Sequence, residues 1–295
     1  MIKTILSAII LLLLCFQLNA QELIKKHAPL KSITTVWDLD KANKQGTFKI
    51  TAYKPIYFAA SRWSDSPNRL PYSENADYTV TDEIDYNSFE MKFQLSFKTK
   101  LAESILFGEG DLWVGYTQIA HWQIYNTDIS RAFRELNYEP ELILTYPLNL
   151  SFAGFTIKMA SVSFNHQSNG RDLPRSRSWN RVMFNIAMER KNLTVFVKPW
   201  IRLPDAEDEN PLITSYVGNG SVTAIYKLRR HTFYAIATNS FSFKDNRGSL
   251  QFNYLYPIND NLNLHAQFFT GYGETLIDYN HYQNTIGLGV SFSTW

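Results

Sequence analysis

Two residues of complementary chemistry stand two apart in this chain: His166 and Ser168, within Asn165-His166-Gln167-Ser168-Asn169-Gly170-Arg171. On a β-strand, residues two apart share a face and lie roughly 6–7 Å apart along the backbone. A second polar run, Ser176-Arg177-Ser178-Trp179-Asn180-Arg181, follows closely. In a hairpin centred on Leu173, Asn180 falls directly across from His166, with Cβ atoms about 4.5–5.5 Å apart. That trio suits nucleophilic acyl transfer. Ser168 is the nucleophile and His166 the general base, while the Asn180 carbonyl accepts the other imidazole N–H and fixes the tautomer. A neutral third member orients the ring but stabilises charge less than a carboxylate. His-x-Ser pairs are common in strands by chance, and no Gly-x-Ser-x-Gly elbow is present. The facing amide is what raises this pair above that background. His27, His121, His231, His265 and His281 lack comparable partners and read as lumen or loop residues.

The elements that must hold this trio alternate with period two. Ala160, Val162 and Phe164 oppose Ser161, Ser163 and Asn165, and Val182, Phe184, Ile186 and Met188 oppose Arg181, Asn185 and Glu189. Leu262, Leu264, Ala266 and Phe268 repeat the pattern against Asn261, Asn263, His265 and Gln267. Alternating side chains line opposite faces of a strand. Twelve such segments are expected, at 49–60, 88–99, 111–123, 136–147, 154–168, 178–190, 192–204, 213–228, 230–243, 247–257, 260–272 and 283–294. Long and short connections mostly take turns, the segments near 244–246 and 100–110 being the exceptions. An even number of strands, long loops at one end and tight turns at the other describe an all-β, twelve-stranded antiparallel transmembrane β-barrel. A soluble β-sandwich is the competing fold, with shorter strands. The aromatic Trp295 at the end of the chain fits the barrel.

Composition narrows the field. Among 295 residues, Lys+Arg number 29 and Asp+Glu 27, a net charge of +2 that argues against a nucleic-acid binder. The one cysteine, Cys15, excludes disulfides, zinc-thiolate sites and thiol nucleophiles from the rest of the chain. No later apolar run is long enough for a membrane-spanning helix. Lys3, the apolar stretch Ile5 to Phe16 and Gln17-Leu18-Asn19-Ala20 form a signal peptide over 1–20. Residues 21–48 are then expected as an N-terminal periplasmic segment and 49–295 as the barrel.

Parity sharpens the reading. His166, Ser168 and Asn180 share the even positions of Val162, Phe164, Val182 and Phe184, the lipid-facing side. Polar groups facing hydrocarbon are costly unless they lie at the interface or find partners. Next to an outer loop, the three fall at the level of phospholipid esters. A porin would turn them inward. Gln118 likewise shares parity with Leu112, Val114, Tyr116 and Trp122, and an amide on that face is stabilised by pairing with another chain.

The two runs around Ser168 and Asn180 resemble the active-site signature of bacterial outer-membrane phospholipase A. Lys92-Phe93-Gln94-Leu95-Ser96, Tyr116-Thr117-Gln118, Phe133-Arg134-Glu135-Leu136-Asn137-Tyr138-Glu139-Pro140, Lys198-Pro199-Trp200 and Gly271 to Asn280 match as well, from about residue 88 to the end. The resemblance implies a twelve-stranded barrel with a Ser168-His166-Asn180 triad, dependent on calcium and active as a homodimer on membrane phospholipid. It implies calcium held by the Arg171 carbonyl, the Ser176 hydroxyl and the Ser130 carbonyl of the second subunit, a set of oxygens that suits the ion. The ion and the Gly170 amide would stabilise the oxyanion. An acidic calcium residue belongs in the loop after Trp200; Asp208 is the assignment, with Glu209 the alternative across an apparent insertion. Gln118 would lie at the dimer interface. Phospholipase A1, A2 and lysophospholipase activity in the outer membrane is the leading expectation. A lipid A deacylase and a non-enzymatic channel or scaffold barrel are the alternatives, and a lumen crossed by Arg177, Arg181, Glu189, His265 and Gln267 is expected to be plugged rather than open.

Overall fold

The computed structural model describes residues 31–292. The segment expected as a signal peptide, residues 1–20, and Trp295 lie outside the described residues. Twelve antiparallel strands form one sheet: β1 (Tyr57–Ser64), β2 (Phe89–Ala102), β3 (Asp111–Trp122), β4 (Glu135–Phe152), β5 (Phe155–Ser168), β6 (Ser178–Arg190), β7 (Leu193–Arg202), β8 (Gly220–Leu228), β9 (His231–Asn239), β10 (Gly248–Pro257), β11 (Asn263–Tyr272) and β12 (Tyr282–Ser291). Each pairs with its sequence neighbours, and β1 closes the ring against β12, with Thr285 facing Ser64 and Ser291 facing Tyr57.

Burial is inverted relative to a soluble protein. Lys92, Lys98, Lys100, Glu90, Arg62 and Asn165 are buried, whereas Phe164, Phe184, Ile186, Leu264 and Ile286 are exposed. Charged residues are seldom fully buried without partners, and a continuous exposed apolar wall needs a covering solvent that is not water. Both follow when a closed sheet faces lipid outside and a polar lumen inside. The alternation in the sequence is the direct cause.

The lumen is crossed by paired charges. Towards the long-loop end, Arg62 binds Glu90 and Glu274, Lys92 binds Glu274 at 2.8 Å, and Arg134 joins Glu90 at 2.8 Å to Asp278 at 3.2 Å. His121 Nδ1 lies 2.8 Å from the same Glu90 carboxylate. The loop after β11 folds inward to supply Glu274 and Asp278, and its Leu276, Ile277 and Tyr279 are buried. Deeper, Lys54 pairs with Glu139 at 2.6 Å and Glu141 at 3.4 Å, and Arg181 with Glu139 at 3.2 Å. A cavity of about 280 Å³ lies beside these residues. Buried charges persist only when paired this fully, so the lumen is a plugged core and not an open channel.

Three expectations need correction. The first strand, expected over 49–60, is split into a two-residue strand at Thr51–Ala52 and β1 at Tyr57–Ser64. Pro55 interrupts it because proline has no N–H to give to a ladder; Gln94 Nε2 donates to the Pro55 carbonyl at 2.7 Å and Ser96 Oγ accepts from Lys54 N at 3.1 Å in its place. The strand expected over 213–228 begins as a helix, Ile213–Val217, which packs Ile213 among Trp179, Trp200, Leu276 and Tyr279 before β8 starts at Gly220. Gly218 separates the two with φ +87°, and a Cβ there would meet the Asn239 carbonyl oxygen at 2.1 Å. The connection between β9 and β10 is longer than expected and spans 240–247.

Within the N-terminal segment, residues 33–39 pack into the barrel. A one-turn helix, Ile33–Val36, is capped by Ser32 Oγ, which accepts from Thr35 N at 3.2 Å. Ile33, Trp37 and Leu39 are buried against Tyr53, Trp113, Ile143 and Met159. Lys98 Nζ lies 3.7 Å from the centre of the Trp37 ring and donates to the Val36 carbonyl at 2.8 Å. The segment stoppers the tight-turn end.

Candidate active site

Strands β5 and β6 position the chemistry. Their ladder sets Phe164 across from Val182, Asn165 from Arg181, His166 from Asn180, and Gln167 from Trp179. The hairpin is therefore centred on Leu173. Phe164 and Phe184 are exposed while Asn165, Trp179 and Arg181 are buried, so His166, Ser168 and Asn180 lie on the outer wall. His166 Nδ1 and Asn180 Oδ1 are 2.9 Å apart. With the ring N–H donating to that carbonyl, Nε2 is left as the basic nitrogen. Ser168 is two residues on along the same face, and its hydroxyl has no hydrogen-bond partner among the described residues. Catalytic hydrogen bonds commonly tighten only when substrate binds.

On the inner side the same hairpin is locked. Trp179 Nε1 donates to Gln167 Oε1 at 2.8 Å, and Arg181 NH2 donates to Asn165 Oδ1 at 2.6 Å. The Arg181 guanidinium sits 4.0 Å from the Trp179 ring centre. The sequence places Arg181, Gln167 and Asn165 in the signature runs without assigning them this bracing contact. Their offset by one from the trio was the available signal, since odd and even positions of paired strands brace each other through the sheet.

The loop leaving Ser168 is shaped by Asn169. Its Oδ1 accepts from Arg177 N at 2.9 Å and Arg171 N at 3.3 Å, and its Nδ2 donates to the Arg175 carbonyl at 2.8 Å. Gly170 takes φ +60°, and a Cβ there would lie 3.0 Å from Tyr138 Cε2. Only glycine meets both conditions without strain. The Gly170 amide has no protein acceptor among the described residues, as an oxyanion donor requires.

The acidic run after Trp200 places its two candidate residues in different surroundings. Asp208 is engaged by Arg202, and its Oδ1 also accepts from Asn210 N at 3.0 Å. Glu209, instead, reaches the site loop: Ser176 Oγ donates to Glu209 Oε1 at 2.7 Å. Glu209 Oε2 is buried with no partner among the described residues. A buried carboxylate oxygen without a donor is costly, and a hard cation beside Ser176 would satisfy it. No cluster of three or more His, Cys, Asp or Glu that could hold a metal ion exists among the described residues. Arg171 is held by the Phe133 and Arg134 carbonyls. The Ser130 carbonyl already accepts from Trp122 Nε1 at 2.8 Å, in the loop after β3, and retains its second lone pair. Gln118 projects outward from β3 between Leu95 and Tyr138, its Oε1 accepting from Tyr116 OH at 3.2 Å.

A closed barrel with a lipid-facing wall and a bound imidazole–carboxamide pair beside a free serine hydroxyl defines an integral membrane barrel hydrolase. Comparison with known proteins is more specific. The family model described as phospholipase A1 matches residues 33–292, and this chain belongs to the phospholipase A1 family, whose members are carboxylic ester hydrolases. Phospholipase A1 of Escherichia coli K12 is 37% identical over 240 residues, covering 77% of this chain and 82% of the relative. That of Klebsiella pneumoniae is 38% identical, covering 68% and 69%. Among solved structures, outer membrane phospholipase A from Escherichia coli gives a TM-score of 0.74 at 33% identity, over 83% of this chain and 94% of that one. A Salmonella typhi outer membrane phospholipase dimer with bound calcium gives 0.76 at 33% identity, over 89% and 97%. A further Escherichia coli structure, an asparagine-to-alanine active-site mutant, gives 0.74 at 33% identity, over 85% and 94%.

Proposed function

We propose that this barrel is a calcium-dependent phospholipase of the bacterial outer membrane. It hydrolyses acyl esters of glycerophospholipids with A1, A2 and lysophospholipase activity. Ser168, His166 and Asn180 carry the reaction in a homodimer. The observation that carries the proposal is the 2.9 Å contact between His166 Nδ1 and Asn180 Oδ1 on the outer wall, next to an unengaged Ser168.

In this reading, substrate enters sideways from the outer leaflet. His166 Nε2 takes the Ser168 proton as Oγ attacks the ester carbonyl. Asn180 holds the ring in the tautomer that leaves Nε2 free to accept that proton, and the Gly170 N–H receives the developing oxyanion. Collapse expels the glycerol oxygen, protonated by His166, and water then hydrolyses the acyl-serine with His166 again as base. Arg171, Ser176 and Glu209, with Ser130 of the second subunit, would hold calcium, which when bound adds positive charge near the oxyanion. Gln118 would anchor the dimer across the apolar wall. The calcium and the dimer in the Salmonella typhi relative, and the asparagine altered in the Escherichia coli active-site mutant, support these roles.

The test is release of fatty acid from phospholipid by detergent-purified protein, with calcium and with chelator, for wild type and Ser168→Ala. Hydrolysis that needs calcium and vanishes in the variant is expected. Activity surviving Ser168→Ala removes the nucleophile assignment, and full activity in chelator removes the calcium site.

A further inference from the structure

The tight-turn end of the barrel has an uneven charge distribution. The turn between β6 and β7 carries Arg190 and Lys191, and that between β8 and β9 carries Arg229 and Arg230. These turns are neighbours: Leu193 faces both Arg190 on β6 and Tyr226 on β8, and Lys227 N donates to the Asn192 carbonyl at 3.0 Å. Adjacent strands are about 4.8 Å apart and the β8–β9 turn extends beyond the level of Leu193, so the backbones of the two turns lie roughly 10–15 Å apart, a gap that arginine and lysine side chains can span. None of the four has a carboxylate within ion-pair distance among the described residues. The nearest acid in sequence, Glu189, points inward and accepts from Ile33 N. Other acidic residues at this end lie away from these two turns and several are paired: Glu103, Asp38 and Asp111 with Lys100, and Glu109 with Lys41.

The patch is built at a lipid boundary. Arg190 lies over the Phe155 ring at 5.9 Å and Arg230 over Tyr256 at 5.1 Å. His231 stacks on Tyr254, and Tyr226 and Leu228 are exposed on the adjoining wall. Aromatic residues of this kind form the belts at membrane–water interfaces. Arg230 Nε is buried without a protein acceptor, a donor that awaits an anion. Lys191 and Arg229 also occupy positive φ, +52° and +55°, where glycine or asparagine would be under less strain.

We infer that Arg190, Lys191, Arg229 and Arg230 form a binding site for the phosphate of an anionic glycerophospholipid in the periplasmic leaflet. Its acyl chains would run up the wall past Leu228 and Tyr226. The site is remote from Ser168, at the opposite end of β5 and β6. Assigning it to the periplasmic leaflet rests on the outer-membrane reading of the fold; the binding itself does not. Basic residues near a bilayer surface each attract anionic lipid by a similar increment, so loss of four should weaken binding by more than ~10-fold.

The experiment is native mass spectrometry of the detergent-solubilised full chain with phosphatidylglycerol or phosphatidylcholine. Arg190→Gln/Lys191→Gln/Arg229→Gln/Arg230→Gln is compared with the charge-keeping Arg190→Lys/Lys191→Arg/Arg229→Lys/Arg230→Lys. Wild type and the charge-keeping variant should retain phosphatidylglycerol at least ~10-fold more than phosphatidylcholine, and the glutamine variant should lose that preference while still running as a folded barrel. Equal retention of the two lipids by wild type overturns the inference, as does undiminished preference in the glutamine variant. Inorganic phosphate alone displacing the lipid at equal concentration would assign the patch to a soluble anion and also overturn it.

Discussion

Glu209 and Asp208 are neighbours of the same charge, yet the structure gives them different work, and exchanging each for its amide separates them. Glu209 Oε1 accepts from Ser176 Oγ at 2.7 Å while Oε2 is buried and unpartnered. Asp208 is occupied by Arg202. Two unit charges 4 Å apart interact by about 1 kcal/mol in water and about 4 kcal/mol at an effective dielectric of 20. A divalent ion doubles each figure, and Glu209 is half-buried in a loop next to solvent. Glu209→Gln should therefore cost about 2–4 kcal/mol of calcium binding, a ~30–1000-fold rise in the calcium needed for half-maximal hydrolysis. The amide oxygen still accepts from Ser176, so the loop keeps its shape and saturating calcium should restore most activity. Asp208→Asn should shift the calcium requirement by less than ~5-fold, because it removes a partly exposed ion pair worth about 1 kcal/mol or less. The assay is fatty-acid release against free calcium for the three proteins. A larger shift from Asp208→Asn than from Glu209→Gln would refute the reassignment.

Asn180→Ala should lower kcat by ~10–100-fold with little change in KM, the loss of one hydrogen bond to an imidazolium worth about 1.5–3 kcal/mol; steady-state kinetics on a soluble ester checks it. Arg62→Ala takes one cation from each of the buried Glu90 and Glu274 carboxylates, leaving Arg134 and Lys92 as their remaining ion-pair cations, and should destabilise the barrel by up to about 3–5 kcal/mol, measured by denaturant unfolding in detergent. Trp37→Ala removes the ring sandwiched between Lys98, Tyr53 and Trp113. It should cost about 3–5 kcal/mol and make the 31–45 segment cleavable by added protease.

Much of this architecture was legible because the barrel's physics is written with period two. Ser161, Ser163 and Asn165 against Val162 and Phe164 give a strand, its faces and their environments at once, and an equal count on each side of Leu173 gives the pairing of His166 with Asn180. What escaped the sequence depends on contacts between residues far apart. Ile213-Thr214-Ser215-Tyr216-Val217 has the β-branched and aromatic composition of a strand, but the pocket formed by Trp179, Trp200 and Tyr279 takes it as a helical turn. Ile33, Trp37 and Leu39 show no strand pattern, and their place becomes apparent only once Trp113 and Ile143 line the lumen. Asp208 and Glu209 differ by one residue in a loop, and only Arg202 and Ser176 distinguish them. Lys158, a charge within the outward set, is explained by the β-bulge between Ile157 and Met159, which a strict alternation does not foresee.

The central claim is that a nucleophilic hydroxyl faces lipid at residue 168. Exposure of purified protein, with calcium, to a long-chain alkyl sulfonyl fluoride and peptide mapping by mass spectrometry test it directly. One adduct, on Ser168, lost in His166→Gln and matched by loss of hydrolysis, is the predicted result. An adduct on any other residue accompanying inactivation, or full inactivation with Ser168 unmodified, would contradict it.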